Sequence, residues 1–337
     1  MNAGKPLLLH TLKSRDYVWA AAFTRDNLRV AVGCKYLATT IWSTETGALL
    51  HTIDKLCSAY HLVFNSPGTL LACLQTVNAQ IAVYKVSGGA PELLHHLPGH
   101  LRPNRSLAFS PRGDSTLASA SDDTVVRVWD TDTGACSCVL RGHTGSVYTA
   151  AYSSDGARIV TGSDDRRVKV WRADDGVCLY TVGTASICSS AVFSPDDSVI
   201  GAGCRGEVLL LDARSGTVLR RLERVNGQVD SMAFDPCGRV LTTVSAFTSF
   251  KVWDTRTGMC LATLHDEVRG VTCGAVSPDG SMLAVATDIQ ADRTTLYDIS
   301  AFSAGARVLA LVLIGRRHKD LPHVPPELWC LIADEFF

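Results

Sequence analysis

The chain lacks net charge. Its 32 Lys and Arg against 33 Asp and Glu leave −1 at pH 7, so no long-range field draws it to nucleic acid or to anionic lipid. Aromatics are sparse, at 7%, and offer few stacking platforms for bases, which further disfavours nucleic acid as a partner. Long apolar runs are missing too. The longest late one, "VLALVLI" at 308–314, is far short of the ~20 residues a membrane helix needs, so no membrane partner is expected. The N-terminal "MNAGKPLLLHTLKSRDY" has neither the apolar length nor the small-residue cleavage site of a signal peptide. An intracellular protein, cytoplasmic or nuclear, is therefore expected, with its 12 cysteines as reduced thiols. No Gly-rich phosphate loop opens a helix, since "GAGCRGE" (201–207) fills a strand–turn position.

What is present is a globular composition, 46% hydrophobic and 19% charged, and a repeat. "LASASDDTVVRVWDTDTGACSCVL" (117–140) and "IVTGSDDRRVKVWRADDGVCLYTV" (159–182) align almost residue for residue. Weaker copies anchor on Trp42, Tyr84, Leu211, Trp253 and Tyr297, at successive spacings of 42, 45, 42, 40, 42 and 44 residues. Each unit runs apolar strand, Asp/Gly/Pro turn, second strand, "SDD", third strand with the anchor, "DTxTG", fourth strand, and no helical period crosses it. Seven units of this length match the period of four-stranded propeller blades.

The "GH…SDD…VWD" order, recurring in register over roughly residues 5–300, resembles the WD-repeat family. The resemblance implies an all-β, seven-bladed propeller. The seventh unit ends at "TTLYDIS" with no fourth strand, and "KPLLLHTL" (5–12) is expected to supply it and close the ring. Residues 301–337 are then a separate tail.

His143, Asp165, Trp171 and Thr161 invite a hydrolase reading. Their counterparts His100, Asp123, Trp129 and Ser119 repeat the set in the preceding unit, and a catalytic group has no reason to occur twice. The family resemblance implies a structural network in which histidine joins a hydroxyl to the aspartate. No enzyme is expected. The alternative, an acid–base group in the central channel, has no visible residues. Cys136, Cys178 and Cys260 each lie seven residues after their anchor; positions repeated around a ring cannot converge on one metal, and they are expected as small buried side chains. No cofactor or metal is expected.

In a propeller the fourth-to-first and second-to-third connections share one face. Lys35, Arg105, Arg166, Arg167, Arg205 and Arg269 fall there, with Tyr148 among them. Arginine with tyrosine is typical of interaction hot spots, and guanidinium forks match carboxylate or phosphate. The expected function is therefore a scaffold, a monomeric propeller within a complex that binds an acidic or phosphorylated peptide of a protein partner.

The tail reads differently. Pro325 and Pro326 start an apolar stripe of Leu328, Leu331, Ile332 and Phe336, widened by Trp329, as in an amphipathic helix. Such a stripe either packs on the propeller or docks elsewhere. "LPHVPPELWCLI", beginning at Leu321 and Pro322, resembles the opening of an F-box, and with the preceding apolar segment it resembles a SOCS box. Trp253, Asp254 and Arg256 resemble the end of the box found in propeller receptors of cullin-4-type ligases. These resemblances imply an alternative function, a cullin-ligase substrate receptor whose tail and Arg256 dock an adaptor.

Overall fold

A computed structural model describes residues 7–13, 18–34, 38–53, 59–75, 80–113, 115–222, 225, 227–245, 249–265, 271–277, 281–287 and 293–298. The tail (301–337), with Leu321, Pro322, Pro326, Leu328, Trp329 and Ile332, lies outside them, as do Lys35 and Arg269. The described residues contain no helix and form seven four-stranded antiparallel sheets. The chain is an all-β, seven-bladed propeller.

Blade four shows how the sequence builds a unit. Its strands are Val147–Tyr152, Arg158–Ser163, Arg167–Arg172 and Cys178–Gly183. Between the first two, Ser153 Oγ accepts the Arg158 N–H at 2.9 Å and Asp155 accepts the Ala157 N–H at 2.8 Å. Side chains of this kind stand in for a backbone turn. The latch recurs in other blades at Thr24, Asn65, Ser194, Asp235 and Ser277, each holding the N–H five residues on. Polar residues ending otherwise apolar strands thus set the hairpin register.

Neighbouring blades meet through their first strands, joining blades one to six in order and blade seven to blade one. First strands therefore ring the axis and fourth strands form the circumference. The core lies between blades. Ala118, Val128 and Leu140 of blade three pack with Val147, Ile159 and Trp171 of blade four, and the same stacking joins blades seven and one, one and two, two and three, four and five, and five and six. A sheet covered on both faces needs apolar side chains on both. This is why "LLACLQ" (Leu70–Gln75) is buried at every position instead of alternating. Leu7–Lys13 pairs antiparallel with Arg293–Asp298 as the outer strand of blade seven, so the N-terminal strand closes the ring.

In five places the outer strand also leans on the third-to-fourth turn of the next blade, at Gly47, Gly134, Gly176, Gly216 and Gly258. Gly176, at φ +72°, sits so close to blade three that a Cβ would meet Cys138 Sγ at 2.5 Å and Leu140 Cδ2 at 2.9 Å. Side chains stitch other seams: His10 Nε2 donates to the Glu45 carbonyl at 2.9 Å, His95 Nε2 to that of Asp132 at 3.0 Å, and the Tyr180 hydroxyl to that of Ala213 at 2.8 Å. The expectation of buried cysteines is corrected here: Cys136 and Cys178 are exposed and Cys260 is half-buried, because the start of an outer strand has no further sheet to cover it.

Gly176→Ala combines a left-handed backbone with a clash against the neighbouring blade. It should lower stability by about 1–3 kcal/mol, read as a lower urea midpoint and Tm, whereas Gly89→Ala, with nothing within 4 Å of its Cβ position, should leave both unchanged.

Candidate functional site

The histidine sets of blades three and four form nearly superimposable chains. His100 Nδ1 lies 2.9 Å from Asp123 Oδ2, its Nε2 2.7 Å from Ser119 Oγ, and Trp129 Nε1 donates to the same hydroxyl at 2.8 Å. In blade four the distances are 2.8 Å to Asp165, 2.7 Å to Thr161 and 2.9 Å from Trp171. Each hydroxyl accepts from the indole and gives its own proton to Nε2, so each histidine is neutral and donates from Nδ1 to the carboxylate. Burial pushes both histidines below their ordinary pKa and outweighs the opposing pull of the aspartates. For Asp123 and Asp165 burial works against the charge, but bonds from histidine and backbone N–H outweigh it and hold both carboxyls below the usual range. The aspartates also take the N–H of Leu101 and Thr144, tying the incoming loop to the second-to-third turn. Both histidines are nearly sealed, at 3% and 1% side-chain exposure. A group closed in this way has no access to a substrate, and its chemistry is to join loop, sheet and indole.

Two blades keep only half of this device. Trp253 donates to Thr243 at 3.0 Å, and Trp42 to Thr40 at 2.8 Å. The Thr40 solution was missed in the sequence, because the residue in register with the acceptors elsewhere is Val32 and the hydroxyl comes from the third strand instead.

The face above these networks has a sevenfold feature. In every blade the register slips by one residue after the first position of the innermost strand. A β-bulge of this kind re-aims the extra side chain. The bulged residues include Trp19, Arg105, Tyr148, Ser189 and Asp230, all at the end of the innermost strand where the channel opens on the arginine-bearing face. Trp19 is 37% exposed. Arg105 makes a two-pronged pair with Asp122, at 2.8 and 2.6 Å, and its guanidinium lies 5.8 Å from the Tyr148 ring centre. Burial and the Asp164 charge push the Tyr148 phenol above its ordinary pKa against the pull of Arg105. Beside them Leu101 is 88% exposed.

The predicted binding residues divide. Arg105 and Tyr148 are brought together, but Arg105 is already neutralised by Asp122. Arg166, Arg167 and Arg205 are exposed on the same face, with no ion pair among the described residues. Arg256 is exposed on the opposite face, in the third-to-fourth turn of blade six. Trp19 and Leu101 were missed; the alignment of "VWA" with "VYT" and "NRS" was the available signal, but only the repeated bulge shows where such residues point. Among the described residues no group of three His, Cys, Asp or Glu is placed to hold a metal, and no helix is long and apolar enough to cross a membrane.

Residues 91–130 and 134–172 match the family of the WD domain, G-beta repeat. Blades three and four are WD40 repeats. Other WD-repeat similarities extend further along the chain. Ribosome assembly protein 4 of Chaetomium thermophilum is 35% identical over 44% of this chain and 26% of its own length. Nuclear distribution protein nudF of Aspergillus niger is 24% identical over 78% of this chain and 65% of its own. Human WD repeat and SOCS box-containing protein 1 is 34% identical over 35% of this chain and 28% of its own. The chain spans less than two thirds of the length of each of these relatives.

Removing one partner from a closed WD network leaves a buried polar group unpaired. Asp165→Ala should cost about 1–3 kcal/mol in urea unfolding, more than the exposed Asp174→Ala. Acid should act through the histidines. His61, with Nδ1 buried and unpartnered, is pushed by burial from 6.5 down to about 4, and His100 and His143 shift the same way. Below pH 6.5 the unfolded chain binds protons that the folded chain refuses, so Tm should fall from there towards about pH 4. His61→Gln should flatten that fall; an unchanged slope would remove His61 from the cause.

Proposed function

We propose that the chain is a non-enzymatic protein-interaction scaffold that captures its partner on the channel mouth and the loops of the arginine-bearing face. The observation that carries this reading is the repeated bulge, which turns Trp19, Arg105 and Tyr148 to the mouth of the channel. Beside them stand exposed Leu101 and the unpaired Arg166, Arg167 and Arg205. Large aromatic surface gives binding energy, and unpaired guanidinium groups select an acidic or phosphorylated peptide. Because Asp122 already occupies Arg105, the charge selection falls to blades four and five.

A second reading makes the scaffold a substrate receptor of a cullin-type ligase, with the tail docking an adaptor. It is supported by the tail's resemblance to adaptor-docking boxes and by similarity to a relative whose name includes a SOCS box.

Arg166→Glu combined with Arg205→Glu should reduce partner recovery in affinity capture at least tenfold with Tm unchanged; equal recovery by both proteins removes this face from the proposal. For the second reading, the full chain should recover cullin adaptors and a chain lacking 301–337 should not. Equal recovery by the two ends that reading.

A further inference from the structure

Among the described residues, the seam between blades five and six lacks the side chain–carbonyl bond that joins blades seven and one, two and three, and four and five. At the position held by His10, His95 and Tyr180 in blades seven, two and four, blade five carries Arg220. Its Cδ lies 3.3 Å from where a Cβ of Gly258 would stand, but its guanidinium makes no hydrogen bond or ion pair among the described residues. A cavity of about 300 Å³ remains, lined by Val199, Leu210, Leu219, Arg220, Thr255 and Arg256. Arg256 also has no ion pair among the described residues.

Polar groups around the cavity are committed elsewhere. Thr255 Oγ1 serves the Gly238 and Arg239 carbonyls. Asp254 holds the Thr257 N–H, and Asp212 holds those of Arg214 and Ser215. Glu207 is taken by Arg221 at 2.8 Å. Two guanidinium groups thus line one cavity with no counter-ion among the described residues, and like charges so placed favour an anion between them. The remaining surface is apolar and wet: Val218, Leu219 and Met259 are 41%, 51% and 64% exposed. The outer strand itself, Val218–Arg221, is exposed at all four positions.

The geometry points to this seam as a second docking surface, for an acidic extended segment of a protein partner that carries an apolar side chain between carboxylates. Such a segment lies along the free edge of Val218–Arg221 as an added strand. Its carboxylates pair with Arg220 and Arg256, which accept them two-pronged. The apolar side chain fills the space over Val199, Leu210 and Leu219, whose volume is at the small end for ligand sites. The surface lies on the side of the disc opposite the channel mouth with Trp19 and Tyr148, so it stands or falls separately from the proposed scaffold face.

The test uses the full chain and a fluorescein-labelled peptide pool of the pattern acid–Leu–acid–Leu, with a matched pool in which Lys replaces each acid. Fluorescence polarisation should show saturable binding of the acidic pool only, weakening severalfold as salt rises. Measured in a chain that already carries Arg166→Glu with Arg205→Glu, which takes out the upper face, Arg220→Glu with Arg256→Glu should weaken it at least tenfold, and Leu219→Ser severalfold. If the chain with the Arg220 and Arg256 changes unfolds, Arg220→Gln with Arg256→Gln serves in its place. A photo-reactive leucine in the peptide should crosslink to Val218–Arg221 or to the Thr255–Met259 turn. No saturable binding of the acidic pool overturns the proposal. So does binding lost only with Arg166 and Arg205, which would move the acidic ligand to the upper face and leave that reading standing.

Discussion

Every blade of this protein is a four-stranded sheet with two apolar faces, and burial of both faces is the constraint from which the rest follows. A lone sheet of this kind leaves half its core wet, and a row of sheets leaves two ends wet. Only a closed ring covers all faces at once. The pairing of Leu7–Lys13 with Arg293–Asp298 is therefore more than a convenient connection. It completes the outer strand of the last blade and lets His10 reach the turn of the first.

Closure then decides which residues are structural and which are available. Second and third strands are sandwiched between neighbours, where an unpaired polar group is costly, and among the described residues a few, such as Ser245 Oγ and Thr294 Oγ1, are nonetheless buried without a partner. The indole, hydroxyl, histidine and carboxylate chains of blades three and four pair nearly all of their polar atoms, Asp165 Oδ1 being the exception, and the same closure that stabilises them excludes substrate. First strands border the axis and outer strands border solvent. Function is left to the strand ends, the loops and the seams, where side chains such as Trp19, Leu101 and Arg220 are not consumed by packing.

The two faces divide the chemistry. On one, bulges turn large side chains to the channel mouth, and part of the positive charge is neutralised within the protein, as Arg105 is by Asp122. On the other, several seams are closed by glycine contacts and side chain–carbonyl bonds, and the one between blades five and six leaves two arginines over an apolar floor. A repeat protein can diversify in this way because each seam sees only its two blades, and a substitution at one leaves the ring intact.

The repeat, the number of blades, the closing strand and both histidine chains were legible from the sequence, because each depends on local residue order recurring at one period. "SDD" and "DTxTG" are turn chemistry, and turn chemistry is short-range. Four things were decided only by tertiary structure. The exposure of Cys136 and Cys178 follows from their place on the outermost strand, and the pairing of Arg105 with Asp122 from the approach of two loops. Thr40 replaces an acceptor across a strand, and the open seam at Arg220 and Arg256 lies between residues of different blades. Periodicity states which side chains are equivalent; it does not state which neighbour stands across a seam, because that distance is set by the curvature of the whole ring.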